Sequence, residues 1–120
     1  MRIINIQRKK KFPFALIKFY CVLNMSKEKF SRHVGLQEVF SLGYKSQFLN
    51  ESTQIFPISN GESISIEIND EENTLFFVAF TSGGRIFSDE IIVATNHLSL
   101  SYSIKVKEKL TGRKILVDEV

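Results

Sequence analysis

The sequence predicts an all-β fold, a single antiparallel β-sandwich of roughly seven to nine strands. The first observation behind this prediction is strict alternation of apolar and polar residues in Glu62–Ile68 and Leu98–Val106. Successive side chains of a strand point to opposite faces, so isoleucine, leucine and valine fall on one face and serine on the other. A helix would distribute the same apolar residues around its circumference.

The second observation concerns the two runs between those stretches. Leu75–Thr81 and Ile86–Thr95 are apolar on both faces, as expected of strands near the centre of a sheet. The third is the kind of residue that separates the predicted strands. Asn60–Gly61 is typical of a tight turn, and Ser82–Gly84 accepts the positive φ angles that hairpins need.

Composition supports one folded unit. A chain of 120 residues has the size of a single domain, here residues 1–120. Hydrophobic residues make up 43% of the chain, including 11 Phe, which is enough to fill a core and excludes a disordered class. The single cysteine, Cys21, excludes an internal disulfide framework. That usage favours a reducing compartment, so we predict a cytoplasmic location.

The first part of the chain contains a short predicted strand, Ile3–Ile6, then a basic run. Ala15–Asn24 follows and predicts a long strand or, as the alternative, a short helix. A basic region before an apolar run is also the order of a signal peptide, but Lys18 interrupts the run. The run is far shorter than the ~20 residues that span a bilayer, so we predict no membrane span.

Three further elements complete the predicted order. Asn24–Lys27 predicts a hairpin turn, with Glu28–Val34 as the returning strand. Gln54–Ser59 predicts another strand, which Pro57 places at a sheet edge because proline cannot donate to a neighbouring strand. Arg113–Val117 predicts the last strand.

Residues 35–53 are the least regular part of the sequence. We predict an irregular excursion there that holds a short strand or one helical turn. Excursions of β domains often carry binding residues, and Tyr44 and Phe48 are the candidates for an exposed partner patch. The alternative is that both rings cap an open end of the sandwich, since large aromatic side chains are more often buried.

The sequence offers no recognisable catalytic centre, cofactor site or metal site. Metal ligation needs clustered histidine, cysteine or carboxylate groups, and His33 and His97 stand apart. Cys21 lies in an apolar row, which predicts an inert core thiol rather than a nucleophile. No nucleophile elbow and no phosphate-binding loop with its lysine are present. We therefore predict that the protein is not an enzyme and needs no cofactor.

Charge is unevenly distributed, although the net charge is only +3. Residues 2–32 are strongly basic, whereas residues 51–72 contain acidic residues and no basic one. The candidate anion-binding residues are Arg8, Lys9, Lys10 and Lys11. Two phenylalanines follow that run, and basic loops with exposed aromatic rings can bind single-stranded bases. The acidic second half and the absence of RNA-binding signatures nevertheless disfavour nucleic acid as the partner.

Four segments carry a resemblance to a known group of domains: Ile6–Lys10, Phe19–Asn24, Asn60–Ile68 and Glu72–Leu75. In this order the chain resembles small bacterial β-sandwich domains similar to PEGA-type domains, over about half its length. The resemblance implies a sandwich that acts as an accessory or adhesion-like module without catalysis, and it transfers no functional residue. Residues 35–53 depart from the pattern.

Three function hypotheses follow. The leading one is a non-catalytic interaction or binding module with a protein partner or a second copy of itself, self-associating through an edge strand such as Ile3–Ile6. The first alternative is a nucleic-acid or anionic-surface binder that uses Arg2 and the basic run. The second alternative is a carrier of a small apolar ligand, held between the sheets in a cavity lined by phenylalanine.

Overall fold

The computed structural model describes residues 2–10, 17, 19–33, 54–69, 71–81, 84–94, 99–109 and 112–120. In this part of the chain there are nine strands and one helix. In chain order they are β1 (Arg2–Arg8), β2 (Phe19–Leu23), α1 (Lys27–His33), β3 (Gln54–Ile58), β4 (Ser63–Ile68), β5 (Asn73–Thr81), β6 (Gly84–Phe87), β7 (Ile91–Val93), β8 (Ser99–Lys109) and β9 (Gly112–Glu119). They form two mostly antiparallel sheets packed together, which confirms the predicted all-β sandwich.

The first sheet has the strand order β4-β1-β8-β9. Its β1–β8 pair is parallel, with Ile4 opposite Leu100, whereas β1–β4 and β8–β9 are antiparallel. The β1–β8 pair is thus a parallel exception within the predicted antiparallel sandwich. β1 and β8 lie far apart in sequence, so no tight hairpin forces them to run in opposite directions.

The same order corrects the predicted edge strand. Ile3–Ile6 belongs to β1, which lies between β4 and β8 and is hydrogen-bonded on both sides. Alternation along a strand shows which face is buried, but it does not indicate whether one or two other strands pair with it.

The second sheet has the order β3-β2-β5-β6, and β7 also pairs with β5. Pro57 lies in β3, at an end of this order, as predicted from its missing N–H. β5 is central, and it is buried on both faces as its sequence predicts.

The predicted strand Ile86–Thr95 is interrupted. β6 pairs Phe87 with Val78, but β7 pairs Ile91 with Leu75, so one extra residue is accommodated between them as in a β-bulge. Ser88 holds the interruption in place. Its amide donates to the Phe77 carbonyl at 2.9 Å, and its hydroxyl accepts the Phe77 amide at 2.8 Å.

The main core lies between the two sheets. It is one continuous cluster of buried side chains that includes Ile4 and Ile6 from the first sheet and Phe19 and Phe77 from the second. Burial of this apolar area is the main source of stability. Ile66 and Ile68 of β4 and Tyr102 and Ile104 of β8 belong to this cluster, as alternation in these strands predicts.

A second apolar cluster covers the other face of the second sheet. It contains Tyr20, Val22 and Phe76 from that sheet and Phe30 from α1. This cluster explains why the central strand is apolar on both faces, because one face packs on the first sheet and the other carries a helix.

The helix α1 corrects the predicted hairpin, in which Glu28–Val34 was expected to return as a strand. Ser26 begins the helix, since its hydroxyl accepts the Lys29 amide at 3.1 Å, as an N-cap residue does. The side chain of Glu90 accepts the Lys27 amide at 2.8 Å and ties this end to the bulge. No helix in the described ranges is long and apolar enough to cross a membrane.

Parts of other predictions lie outside the described residues. Of the predicted long strand Ala15–Asn24, the structure has β2 over Phe19–Leu23. The excursion at residues 35–53 is also outside, together with Tyr44 and Phe48, so the partner patch stays a prediction.

Candidate functional site

Around the middle of β1, the outer face of the first sheet carries uncharged polar side chains, several of them short. On β1 the outward residues are Ile3, Asn5 and Gln7, which alternate with buried ones. The neighbouring strands add Ser63 and Ser65 from β4 and Ser101 from β8. None of the side chains at Asn5, Gln7 and these three serines is charged.

A groove of about 310 Å³ lies on this face. We call it the serine groove; its lining residues include Asn5, Gln7, Ser63, Ser65, Ser101 and Val120. Ile6, Ile64 and Tyr102 also line it. Because alternation directs the side chains of these three toward the core, their main chain forms the floor.

The groove exists because the strands place small residues side by side. Ser65 and Ser101 lie on either side of Asn5 in the paired strands, and Ser63 lies opposite Gln7. Serine side chains are too short to cover the main chain of β1, which lies between β4 and β8. A bulkier residue at these positions would fill the depression.

One hydrogen bond within the groove orders a lining side chain. The Ser65 hydroxyl donates to Asn5 Oδ1 at 2.7 Å. With its oxygen accepting this bond, the Asn5 amide presents its nitrogen as a donor. At the far wall, the Val120 amide donates to the Ser101 carbonyl at 2.8 Å and places the exposed Val120 side chain beside β8.

Among the described residues that line the groove, Tyr102 alone has an ionisable side chain. Burial, with a smaller contribution from the nearby carboxylate of Glu119, raises the pKa of its hydroxyl above the ordinary value. Tyr102 therefore stays neutral around pH 7, and no charge develops under the groove.

The four predicted anion-binding residues do not form one exposed group. Arg8 is 1% exposed: its Nη1 donates to the Ile58 carbonyl at 2.8 Å, and its guanidinium lies 3.7 Å from the Phe19 ring centroid. Burial lowers the pKa of Arg8 from 12.5 to about 10. Lys9 and Lys10 are exposed, and residue 11 lies outside the described ranges.

Arg2, the fifth basic residue of the anion-binding hypothesis, is also directed inward. Its guanidinium donates to the carbonyls of Asn69, Glu71 and Ala94. It therefore joins the loop after β4 to the end of β7, and its charge is satisfied by main-chain oxygens.

Groups capable of chemistry are dispersed in the described part of the chain. Cys21 is fully buried, and burial raises the pKa of its thiol, which suppresses the reactive thiolate. The Asp89 carboxylate accepts from Lys114 at 2.7 Å, which links the bulge to β9. The described residues contain no cluster of three or more histidine, cysteine or acidic side chains that could hold a metal.

The sequence predicted that serine lies on the solvent-exposed face of two strands, but the serine groove was not predicted. The sequence does contain the residues of the groove, as alternating serines in β4 and β8 and as Asn5 and Gln7 in β1. It does not contain the strand order, which places β4 and β8 on either side of β1.

Comparison with known proteins adds no relative: no family model, no curated protein and no solved structure matches the chain. The resemblance to PEGA-type domains stays a prediction, because these comparisons do not bear on it.

Proposed function

We propose that this protein is a non-catalytic binding module and that the serine groove is its binding site. The observation that carries the proposal is the groove itself: a concave patch of about 310 Å³, bordered by hydroxyl and amide groups from three strands. A volume of this size lies at the lower end of ligand sites in proteins.

The rigidity of the lining supports a binding role. Asn5, Ser65 and Ser101 stand on paired strands, and the Ser65–Asn5 hydrogen bond orders two of their side chains before any ligand arrives. A site that is already ordered loses less conformational entropy when it binds.

The placement of the reactive groups supports a role without catalysis. In the described chain, the Cys21 thiol is buried in the core, and Arg2 and Arg8 are directed to main-chain carbonyls. Each of these groups has a structural role that accounts for its position.

A screen by thermal unfolding tests the proposal. Wild type, Ser65→Trp and Ser31→Trp are heated with a panel of neutral sugars, nucleotides, peptides and fatty acids. A ligand that binds the folded state raises the unfolding temperature according to its concentration and Kd. We expect at least one panel member to stabilise wild type and Ser31→Trp but not Ser65→Trp, whose indole fills the groove.

Ser31→Trp is the matched control because Ser31 is also exposed but lies on α1, away from the first sheet. If every stabilising ligand acts equally on both variants, or if none stabilises wild type, the groove is not a binding site.

Self-association is a second candidate function, and in the first sheet strand order moves the candidate edge from β1 to the two terminal strands, β4 and β9, of which we take β4. Among the described strands, β4 pairs only with β1, so its other side is the candidate edge for pairing with a second copy. The Arg8 amide donates to the Glu62 carbonyl, so these two residues form a hydrogen-bonded pair of the antiparallel ladder. Hydrogen-bonded and non-hydrogen-bonded pairs alternate from there along β1 and β4. By that alternation the Glu67 N–H points away from β1.

Light scattering at increasing concentration tests this edge. Glu67→Pro removes the outward N–H without breaking the β1–β4 ladder, and Glu67→Gln removes only the charge. We expect a wild-type dimer that persists in Glu67→Gln and is lost in Glu67→Pro. A dimer that survives the proline excludes β4 as its interface.

A further inference from the structure

We propose that the serine groove takes a neutral carbohydrate, of the size of a mono- or disaccharide. This inference rests on the proposed function and names its class of ligand.

The side chains that line the described part of the groove disfavour an anionic ligand. Asn5, Gln7, Ser63, Ser65 and Ser101 are all neutral at every ordinary pH. A phosphate or carboxylate ligand would lose its hydration, and the described lining residues include no cationic side chain to replace it. Arg2 and Arg8 of β1 could have supplied a cation for an anionic ligand, but both side chains are directed to the core side of the strand.

The hydrogen-bonding capacity of the lining matches a polyol. Each serine hydroxyl and each side-chain amide can both donate and accept. A sugar hydroxyl has the same dual capacity, so each contact can form in either direction. The Asn5 amide, whose oxygen already accepts from Ser65, is oriented to donate to a ligand oxygen.

The spacing of these groups suits a small ring with several hydroxyls. Neighbouring strands are about 4.8 Å apart, and outward residues of one strand recur about every 6.6 Å. Polar groups therefore surround the floor in two directions, with Ser65 and Ser101 across the strands and Asn5 and Gln7 along β1. Val120, 83% exposed at the wall, offers an apolar surface to the C–H groups of the ring.

The composition of the face disfavours a protein in this site. Protein interfaces depend on buried aromatic, methionine and arginine anchors, and serine is depleted in them. Among the described residues that line the serine groove, Tyr102 has the one aromatic side chain, and its ring is buried on the core side.

Nuclear magnetic resonance of the ¹⁵N-labelled protein tests the inference, because the side-chain amides of Asn5 and Gln7 report directly from the groove. The titrants are maltose, cellobiose and N,N′-diacetylchitobiose, with a digalacturonate as the charged counterpart and a Gly-Ser peptide as the polypeptide counterpart. We expect at least one neutral disaccharide to shift both amide signals in a saturable way. Ser65→Trp should weaken that binding at least tenfold, and Ser31→Trp should leave it unchanged.

The other outcomes separate the two proposals. If the peptide shifts the groove signals and no sugar does, the carbohydrate inference is wrong while the binding function stands. If the digalacturonate binds as tightly as the neutral sugars, the groove does not select a neutral carbohydrate and the inference is wrong. If no titrant moves either amide signal and the thermal screen is also negative, both proposals fail.

Discussion

The guanidinium of Arg8 lies 3.7 Å from the centroid of the Phe19 ring, so a cation of the first sheet stacks on an aromatic side chain of the second inside the sandwich. The same guanidinium donates to the Ile58 carbonyl at 2.8 Å. A buried cation is tolerated only where such contacts replace its water. Arg8 therefore links both sheets at the end of β1.

Replacement of Arg8 should destabilise the fold although Arg8 belongs to a basic run in the sequence. Arg8→Ala leaves the Ile58 carbonyl without this donor and opens a cavity beside Phe19, so we expect a loss of about 2–4 kcal/mol. Arg8→Lys keeps the charge but not the planar stacking, and we expect about half that loss. Urea unfolding followed by circular dichroism measures both.

Lys9→Ala is the control for Arg8, because the adjacent Lys9 is exposed. Its free energy of unfolding should stay within about 0.5 kcal/mol of wild type. Equal effects of the alanine substitutions at both positions would contradict the buried placement of Arg8.

Phe30 should hold α1 on the second sheet. It is fully buried, and its ring meets that of Phe76 edge to face at 5.5 Å. Phe30→Ala removes this contact and leaves a cavity, so we expect a loss of about 3–5 kcal/mol in urea unfolding. Lys29→Ala, at an exposed position of the same helix, should change the stability by less than about 0.5 kcal/mol. A small effect at Phe30 would mean that the helix does not pack as described.

Cys21 should be protected from thiol reagents. Because the thiol is buried and its pKa is raised, it reacts only when the core opens. We expect a chromogenic disulfide reagent to modify it roughly a thousandfold or more slowly in the native protein than in urea. The variant Cys21→Ala/Ser31→Cys supplies an exposed thiol, which should react quickly under native conditions. Equally rapid reaction of native Cys21 would contradict its place in the core.

Tyr102 should make the fold less stable in alkali. Burial and Glu119 raise its pKa, so the folded protein keeps the phenolic proton at a pH at which the unfolded chain releases it. This contribution to stability is present below the ordinary value of 10.0 and is lost as the pH rises through and above it. Urea unfolding of wild type and Tyr102→Phe at about pH 8 and about pH 11 measures the difference.

The other titrating groups contribute equally to wild type and Tyr102→Phe, so the difference in stability between the two proteins reports Tyr102 alone. Wild type should lose stability relative to Tyr102→Phe between the two pH values, and Glu119→Gln should reduce that loss. A constant difference would show that Tyr102 titrates alike in both states.

Some features of this fold follow from local pattern, and others do not. Period-two alternation located β4 and β8 and the side of each strand that is buried, because the pleat alone decides which side chains share a face. In β1 the same period puts Arg2 and Arg8 on the side of Ile4 and Ile6, but the sequence-based prediction treated both arginines as anion-binding residues. The helix α1 has a single buried apolar residue, Phe30, among polar ones, so its period was too weak to distinguish it from a returning strand.

The sequence by itself determined the fold class, the exposed and buried faces of the alternating strands β4 and β8, the edge position of Pro57 and the buried state of Cys21. These depend on properties of single residues and their immediate neighbours along the chain. The tertiary structure decided which strands are adjacent, that β1 is central and parallel to β8, and that serines from separate strands border one groove. Strand order depends on long-range packing between distant segments, and a pattern within one strand carries no record of its partners.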